Sequence, residues 1–327
     1  MTARMPMAAE QTASPAPPSP GAAVDSAVDG GVDARAGDAT IAAIRADTVG
    51  FLGGGHMGRA LVAALRRRGH PAAQILVGEP GADARGALER DFGVRATADN
   101  IEVAAAADIL VLAVKPQDMA AALRPLQATL ASRRPLVVSI AAGLPVARLR
   151  ELCGAGGTTA LAVVRAMPNR PALLGLGASG LYAPPDVPAE ARARAEAVLA
   201  AAGMVAWIDL ETLMDAVTAV SGSGPAYFFR LAEALADAGR AQGLPAEVAA
   251  RLAAATLAGA GAMAAADADL AGLRAAVTSR GGTTAAALTT LEAGGLERLV
   301  AEAVESATRR GRELAQAAPD STVKRLT

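Results

Sequence analysis

A parallel α/β domain followed by an all-α domain is the fold class this sequence predicts, and three observations predict it. A short apolar run, Thr48-Val-Gly-Phe-Leu52, opens into a glycine turn, Gly53-Gly54-Gly55-His56-Met57-Gly58, and then a helix-forming stretch from Arg59. Apolar runs alternate with helical patterns as far as Leu210, the rhythm of repeated strand-helix units. Beyond Leu210 nothing reads as strand: Ala-rich segments of helical period are punctuated by Gly222, Gly224, Gly243, Gly281, Gly282, Gly294 and Gly295.

Composition narrows the function classes. The chain has 327 residues, 52% of them hydrophobic, enough for two domains with their own cores. Lys plus Arg (31) almost cancels Asp plus Glu (32), so no basic field exists to collect nucleic acid or an anionic membrane, and a small-molecule partner is expected. One cysteine, Cys153, and two histidines exclude an internal disulfide and give no metal-ligand cluster, so no metal is expected and a reducing cytoplasm is the expected location. The longest uncharged stretches, 171–185 and 252–266, fall short of the roughly 20 apolar residues of a membrane-spanning helix, so no membrane segment is expected. Residues 1–46 combine five prolines with no aromatic side chain and predict a disordered extension. The domains then run 47–210 and 211–318, with a tail at 319–327.

Taken in order, the glycine turn places Gly53, Gly55 and Gly58 on the G-x-G-x-x-G spacing. There the first glycine makes the tight turn, the second lets a pyrophosphate approach the backbone, and the third lets helix pack on strand. The helix N-terminus turns its amides toward the phosphates. A second strand, Gln74–Gly78, ends at Glu79, where an acidic side chain can bond the adenosine ribose hydroxyls of a dinucleotide. This is a Rossmann-type βαβ unit, and a dinucleotide is the implied cofactor.

Helices at Asp83–Phe92 and Ile101–Ala106, strands at Val94–Ala96 and Asp108–Val114, helix-strand pairs Met119–Leu130 with Leu136–Ile140 and Pro145–Leu152 with Ala160–Ala166, and a last strand from Gly203 complete this half. Ligands in such sheets sit beyond the strand C-termini, so Lys115, Ala141-Ala142-Gly143 and Met167-Pro168-Asn169 are lining candidates by position. Lys115 stands out because Lys324 is the other lysine in an arginine-rich chain.

The helical half is expected at Asp215–Val220, Pro225–Gln242, Pro245–Met263, Asp267–Thr278, Thr284–Leu291 and Leu296–Leu314. The Ala and Gly surface of Arg251–Met263 predicts a buried helix that packs closely within the chain or between subunits.

At this point the chain resembles the pyrroline-5-carboxylate reductases over about residues 48–316. The resemblance rests on Phe51-Leu-Gly-Gly-Gly-His-Met57, Asn100, Ala113-Val-Lys-Pro-Gln117, Val138-Ser-Ile-Ala-Ala-Gly143 and Arg165-Ala-Met-Pro-Asn169. Most specific are Asp215-Ala-Val-Thr-Ala-Val-Ser-Gly-Ser-Gly-Pro-Ala-Tyr227 and Val277-Thr-Ser-Arg-Gly-Gly-Thr-Thr284. The resemblance implies reduction of the ring imine of Δ1-pyrroline-5-carboxylate to L-proline by NADPH or NADH, and a C-terminal domain that builds a homodimer, often in rings of dimers. It also implies that Gly53, Gly55, His56, Met57 and Gly58 lie along the cofactor phosphates, Asn100 near the adenosine ribose, and Ala113, Val114, Lys115 and Pro116 beside the nicotinamide half.

Ser279, Gly281, Gly282, Thr283 and Thr284 would hold the substrate by the same resemblance. Thr284 and Lys115 are the candidates for the catalytic site, Thr284 as a positioning hydroxyl, since an unactivated hydroxyl is a poor acid near neutral pH. Three positions depart from the family pattern: His56 stands for Asn, Arg170 for Thr and Arg280 for Pro. A β-hydroxyacid dehydrogenase, which shares the glycine turn, would need a lysine in the second domain, and residues 205–320 contain none. A cofactor-binding regulatory protein without catalysis is the reading from another class, and the Gly281-Gly282-Thr283-Thr284 turn speaks against it.

Overall fold

The structure, a computed structural model, describes residues 41–155 and 161–317, so most of the predicted N-terminal extension, Ala160 and the predicted tail lie outside the described residues. Strands β1 (Val49–Leu52), β2 (Ile75–Gly78), β3 (Arg95–Thr97), β4 (Ile109–Leu112), β5 (Leu136–Ser139), β6 (Val163–Met167), β7 (Gly177–Tyr182) and β8 (Gly203–Trp207) form one sheet. Its order is β3-β2-β1-β4-β5-β6-β7-β8. The first six strands are parallel, and β7 pairs antiparallel with β6 and parallel with β8. β1, β2, β4 and β5 are buried at every position, because the crossover helices cover both faces of a parallel sheet and leave no polar side to the strands.

Helices α1 (His56–Arg67), α2 (Ala82–Phe92), α3 (Asn100–Ala106), α4 (Met119–Leu123), α5 (Gln127–Arg133), α6 (Val146–Leu152) and α7 (Ala189–Ala200) link the strands. Two apolar clusters result, one under α1 and α7 around Phe51 and Leu65, the other under α3 to α6 around Leu110 and Leu123. Three features differ from the sequence reading. The helix expected across Met119–Leu130 is broken by Pro125 into α4, a 3-10 turn at Arg124–Leu126, and α5. β7 and α7 carry no readable pattern: β7 is Gly-Ala-Ser-Gly-Leu-Tyr, too small in its side chains to show a strand period. Residues 41–46, expected in a disordered extension, turn onto the sheet domain, where Ile44 is 0% exposed and Ile41 also joins the core. Asp47 then takes a two-pronged ion pair from Arg194 of α7 at 2.7 and 2.9 Å.

The described residues of the second half form helices and connecting turns, with no strand among them. A short helix α8 (Met214–Val217) continues as a π-turn, Thr218–Gly222, into α9 (Gly224–Ala241), followed by α10 (Ala246–Ala266), α11 (Leu270–Ala276), α12 (Thr283–Ala293) and α13 (Leu296–Ala317). Gly222 and Gly224, read as breaks, are therefore carried through a wide turn rather than a loop. α9 packs along α10, and α13 folds back onto α8 and the π-turn.

Within one chain α10 is not the buried helix the sequence predicts: Ala249 and Ala253 alone among its residues are buried. Tyr227, Phe228, Phe229, Leu231 and Leu235 of α9 and Val248, Leu252 and Met263 of α10 are exposed as well. Counting uncharged runs also underestimated α10, whose 21 residues make it the one described helix long and apolar enough to cross a membrane by length and composition. Length and composition are met equally by a helix that packs on a partner.

Candidate functional site

The glycine turn is built by close contacts rather than by flexibility. Gly53 has φ 104°, a left-handed conformation, and a Cβ there would lie 2.9 Å from the carbonyl oxygen of Ala113. A Cβ on Gly58 would collide with the carbonyl oxygen of Gly53, so α1 packs directly on the turn. At Gly55 a Cβ would meet nothing within 4 Å. That is the arrangement the spacing predicts: two glycines are sterically required and the middle one leaves open space. Gly55 precedes α1 without a side-chain cap, and the first intrahelical bond runs from the Arg59 amide to the Gly55 carbonyl at 2.9 Å. The amides of His56, Met57 and Gly58 thus have no partner in the helix and face the open space, a ready anion cradle.

Glu79 closes the other side of this cradle. Its Oε2 accepts the Gly54 N–H at 3.0 Å and its Oε1 accepts the Gly81 N–H at 3.0 Å, so the carboxylate ties the end of β2 to the glycine turn. Arg85 of α2 donates Nη1 to the carbonyls of Glu79 and Pro80 at 2.9 and 2.8 Å. Asn100 opens α3, and its Oδ1 lies against Gly78, where any Cβ would displace it.

After β4, Ala113 donates its amide to Leu52 at 2.8 Å and runs beside Gly53, which brings Ala113, Val114, Lys115 and Pro116 to the same strand ends. Lys115 is exposed, and no ion pair to it exists among the described residues. The sequence-predicted cofactor residues therefore do converge, on the C-terminal ends of β1, β2 and β4.

The predicted substrate turn stands elsewhere. Gly281 has φ 71°, Gly282 precedes α12 without a side-chain cap, and the Ser279 hydroxyl oxygen lies over Gly282. Ser279, Gly281 and Thr283 are exposed and Thr284 half-buried, and α12 takes its main packing from α13 rather than from the sheet domain. One chain thus brings together the cofactor candidates and, separately, the substrate candidates.

Arg165, named in the sequence reading only within a motif, and Asn169, expected there to line the cofactor crevice, instead join β6 to the helical half. Arg165, in the middle of β6, keeps its side chain 7% exposed and reaches Glu211 at 3.5 Å and Asp215 at 3.9 Å. Glu211 also accepts the Val146 N–H at 2.7 Å. Asn169 donates Nδ2 to the Ser221 carbonyl at 3.0 Å and accepts the Ala178 N–H at 2.9 Å, fastening the π-turn to the sheet. A charge inside the apolar run Val163-Val-Arg-Ala-Met167 was the available signal, because a buried guanidinium requires a partner.

Comparisons with known proteins agree with this architecture. A family model described as "Pyrroline-5-carboxylate reductase dimerisation" matches residues 211–314, and one described as "NADP oxidoreductase coenzyme F420-dependent" matches residues 48–143. A pyrroline-5-carboxylate reductase of Pseudomonas aeruginosa is 46% identical over 269 residues, 82% of this chain and 97% of that protein. One from Vibrio alginolyticus is 42% identical over 81% of this chain and 97% of its own length. Among solved structures, a pyrroline-5-carboxylate reductase from Coxiella burnetii superposes with a TM-score of 0.77 at 36% identity, covering 82% of this chain and 98% of its own. The Plasmodium falciparum pyrroline carboxylate reductase with NADP bound gives 0.68 at 29% identity, covering 82% and 98%. The chain belongs to the pyrroline-5-carboxylate reductase family.

Proposed function

We propose that this chain reduces the ring imine of Δ1-pyrroline-5-carboxylate to L-proline with NADPH or NADH, the closing step of proline biosynthesis. The observation that carries the reading is the pairing, in a chain that spans 97% of a reductase 46% identical to it, of an open glycine cradle at Gly55 with an uncapped helix start at Gly282. The open space at Gly55 and the unpaired amides of α1 fit a dinucleotide, which when bound supplies the hydride. Gly53, Gly55, His56, Met57 and Gly58 hold its phosphates, Glu79 and Asn100 its adenosine ribose, and Ala113, Val114, Lys115 and Pro116 its nicotinamide half. The exposed backbone amides of Gly281 and Thr283, at the positive end of α12, take the substrate carboxylate, while the Gly282 amide is given to the Ser279 carbonyl at 3.1 Å. Ser279 and Thr284 add hydroxyls, Thr284 within reach of the ring nitrogen or the carboxylate.

A protonated imine is already a strong electrophile. The chain's task is then to orient it and exclude water, which lowers the barrier by several kcal/mol without a strong acid. We further read the chain as a homodimer in the cytoplasm. The dimerisation match and the exposed apolar faces of α9 and α10 support the first. The second rests on the single cysteine, Cys153, which can form no internal disulfide; burial pushes its pKa up to about 12.

Loss of reduced-nicotinamide absorbance that depends on added Δ1-pyrroline-5-carboxylate tests the reading. Cofactor binding without such turnover would leave the non-catalytic alternative in its place.

A further inference from the structure

We propose that Glu79 makes this chain discriminate against a 2′-phosphate, so that NADH rather than NADPH is its working cofactor. The proposal rests on the placing of the cofactor at the Gly53–Gly58 turn.

Glu79 does not swing free at the end of β2. Both of its carboxylate oxygens are held by backbone amides, Oε2 by Gly54 and Oε1 by Gly81, each at 3.0 Å. Those are the two amides that could otherwise receive a phosphate beside the ribose, and a half-buried carboxylate now caps them. A 2′-phosphate brings a charge of about −1.5 to −2 at neutral pH to this spot and would face that carboxylate directly. Ribose hydroxyls, in contrast, can donate to the lone pairs the amides leave unused.

The neighbouring cations do not reverse the balance. Arg85 is the basic side chain at the end of β2, and it spends its Nη1 on the carbonyls of Glu79 and Pro80 at 2.9 and 2.8 Å. Arg59, on the first turn of α1, is paired with Asp91 at 2.5 Å and lies over the Phe92 ring at 5.1 Å. Recruiting the donors already engaged means breaking those bonds, whereas Glu79 needs no movement to meet a diol.

Calorimetric titration of the full-length protein with NADH and with NADPH, in the absence of imine, reads the inference without turnover. The proposal expects NADH to bind about tenfold tighter or more, the size of a like-charge penalty at a partly exposed site. Glu79→Gln should narrow that ratio severalfold, chiefly by tightening NADPH, and Arg85→Ala should leave it unchanged. NADPH binding as tightly as NADH to the unaltered protein would overturn the inference, and loss of NADPH binding in Arg85→Ala would identify the arginine as a phosphate ligand and do the same. A protein that turns over the imine with NADPH preferred loses this inference and keeps the proposed function. One that binds neither cofactor loses both.

Discussion

The two halves of the molecule handle their apolar residues in opposite ways. The sheet domain closes over its own: Phe51, Leu52, Ile109 and Leu110 are each 0% exposed, and the strands that carry them are covered on both faces. The helical half keeps large side chains outside, with Phe228 at 59% and Phe229 at 60% exposure, and α10 buries two of its alanines and little else. A sheet domain satisfies its hydrophobic demand with the crossovers that its topology already supplies. Helices in long antiparallel pairs satisfy it only in part, and the remainder stays exposed on the surface of the single chain.

A charge on the helical surface probes this contrast most severely. Phe229→Glu is expected to weaken self-association by about 2 kcal/mol or more, the range of an interface anchor, and to abolish imine reduction while cofactor binding by the sheet domain survives. Light scattering and cofactor titration on the same sample check it; an unchanged mass would place the interface elsewhere. Arg165→Met comes next, because it leaves Glu211 and Asp215 at the domain junction without their cation. A loss of about 3 kcal/mol in urea unfolding is expected, larger than the loss in the double variant with Glu211→Leu, where Asp215 alone is left without its cation.

How far the sequence was legible follows the same division. In the sheet domain the period of the strands, the G-x-G-x-x-G spacing and the acidic end of β2 all express local geometry, so Gly53, Gly55, Gly58 and Glu79 fall together in space as the pattern predicts. β7 and α7 were missed because Gly177-Ala-Ser-Gly180 offers no side chains large enough to show alternation, and its pairing with β6 is a tertiary choice. Ile41 and Ile44 were missed because two apolar residues among alanines carry no period, although both are buried. In the helical half the helices were legible from their caps and glycines, but the burial of α10 was not, since periodicity states that a face is apolar and not which molecule covers it. The Arg165 and Asn169 contacts depend on residues 46 and 52 positions away, so the charge within β6 signals that a partner exists but not which residue it is.

Smaller effects sharpen the picture of each half. Thr284→Ala is expected to lower kcat/KM for the imine about tenfold, near 1.4 kcal/mol for one hydrogen bond to a charged group, without changing cofactor affinity. Steady-state kinetics at saturating cofactor would show it; an unchanged kcat/KM would take the substrate away from this turn. In the sheet domain, burial lowers the pKa of His70 below 6.5. The folded chain then holds His70 neutral while the unfolded chain takes up a proton. The stability present above pH 6.5 is therefore lost as pH falls toward the lowered value, by at most about 1.4 kcal/mol per pH unit. His70→Leu should flatten this part of the stability curve; an equal slope in the variant would assign the acid sensitivity to other groups.

Imine reduction measured on size-resolved protein tests the central contrast most directly. Specific activity, followed as loss of reduced-nicotinamide absorbance with Δ1-pyrroline-5-carboxylate, is compared across dilutions whose mass is determined in parallel. The account predicts activity in the dimer and none in a monomer that still binds cofactor. A monomer with full activity would contradict it, because the helical half would then be complete without a partner.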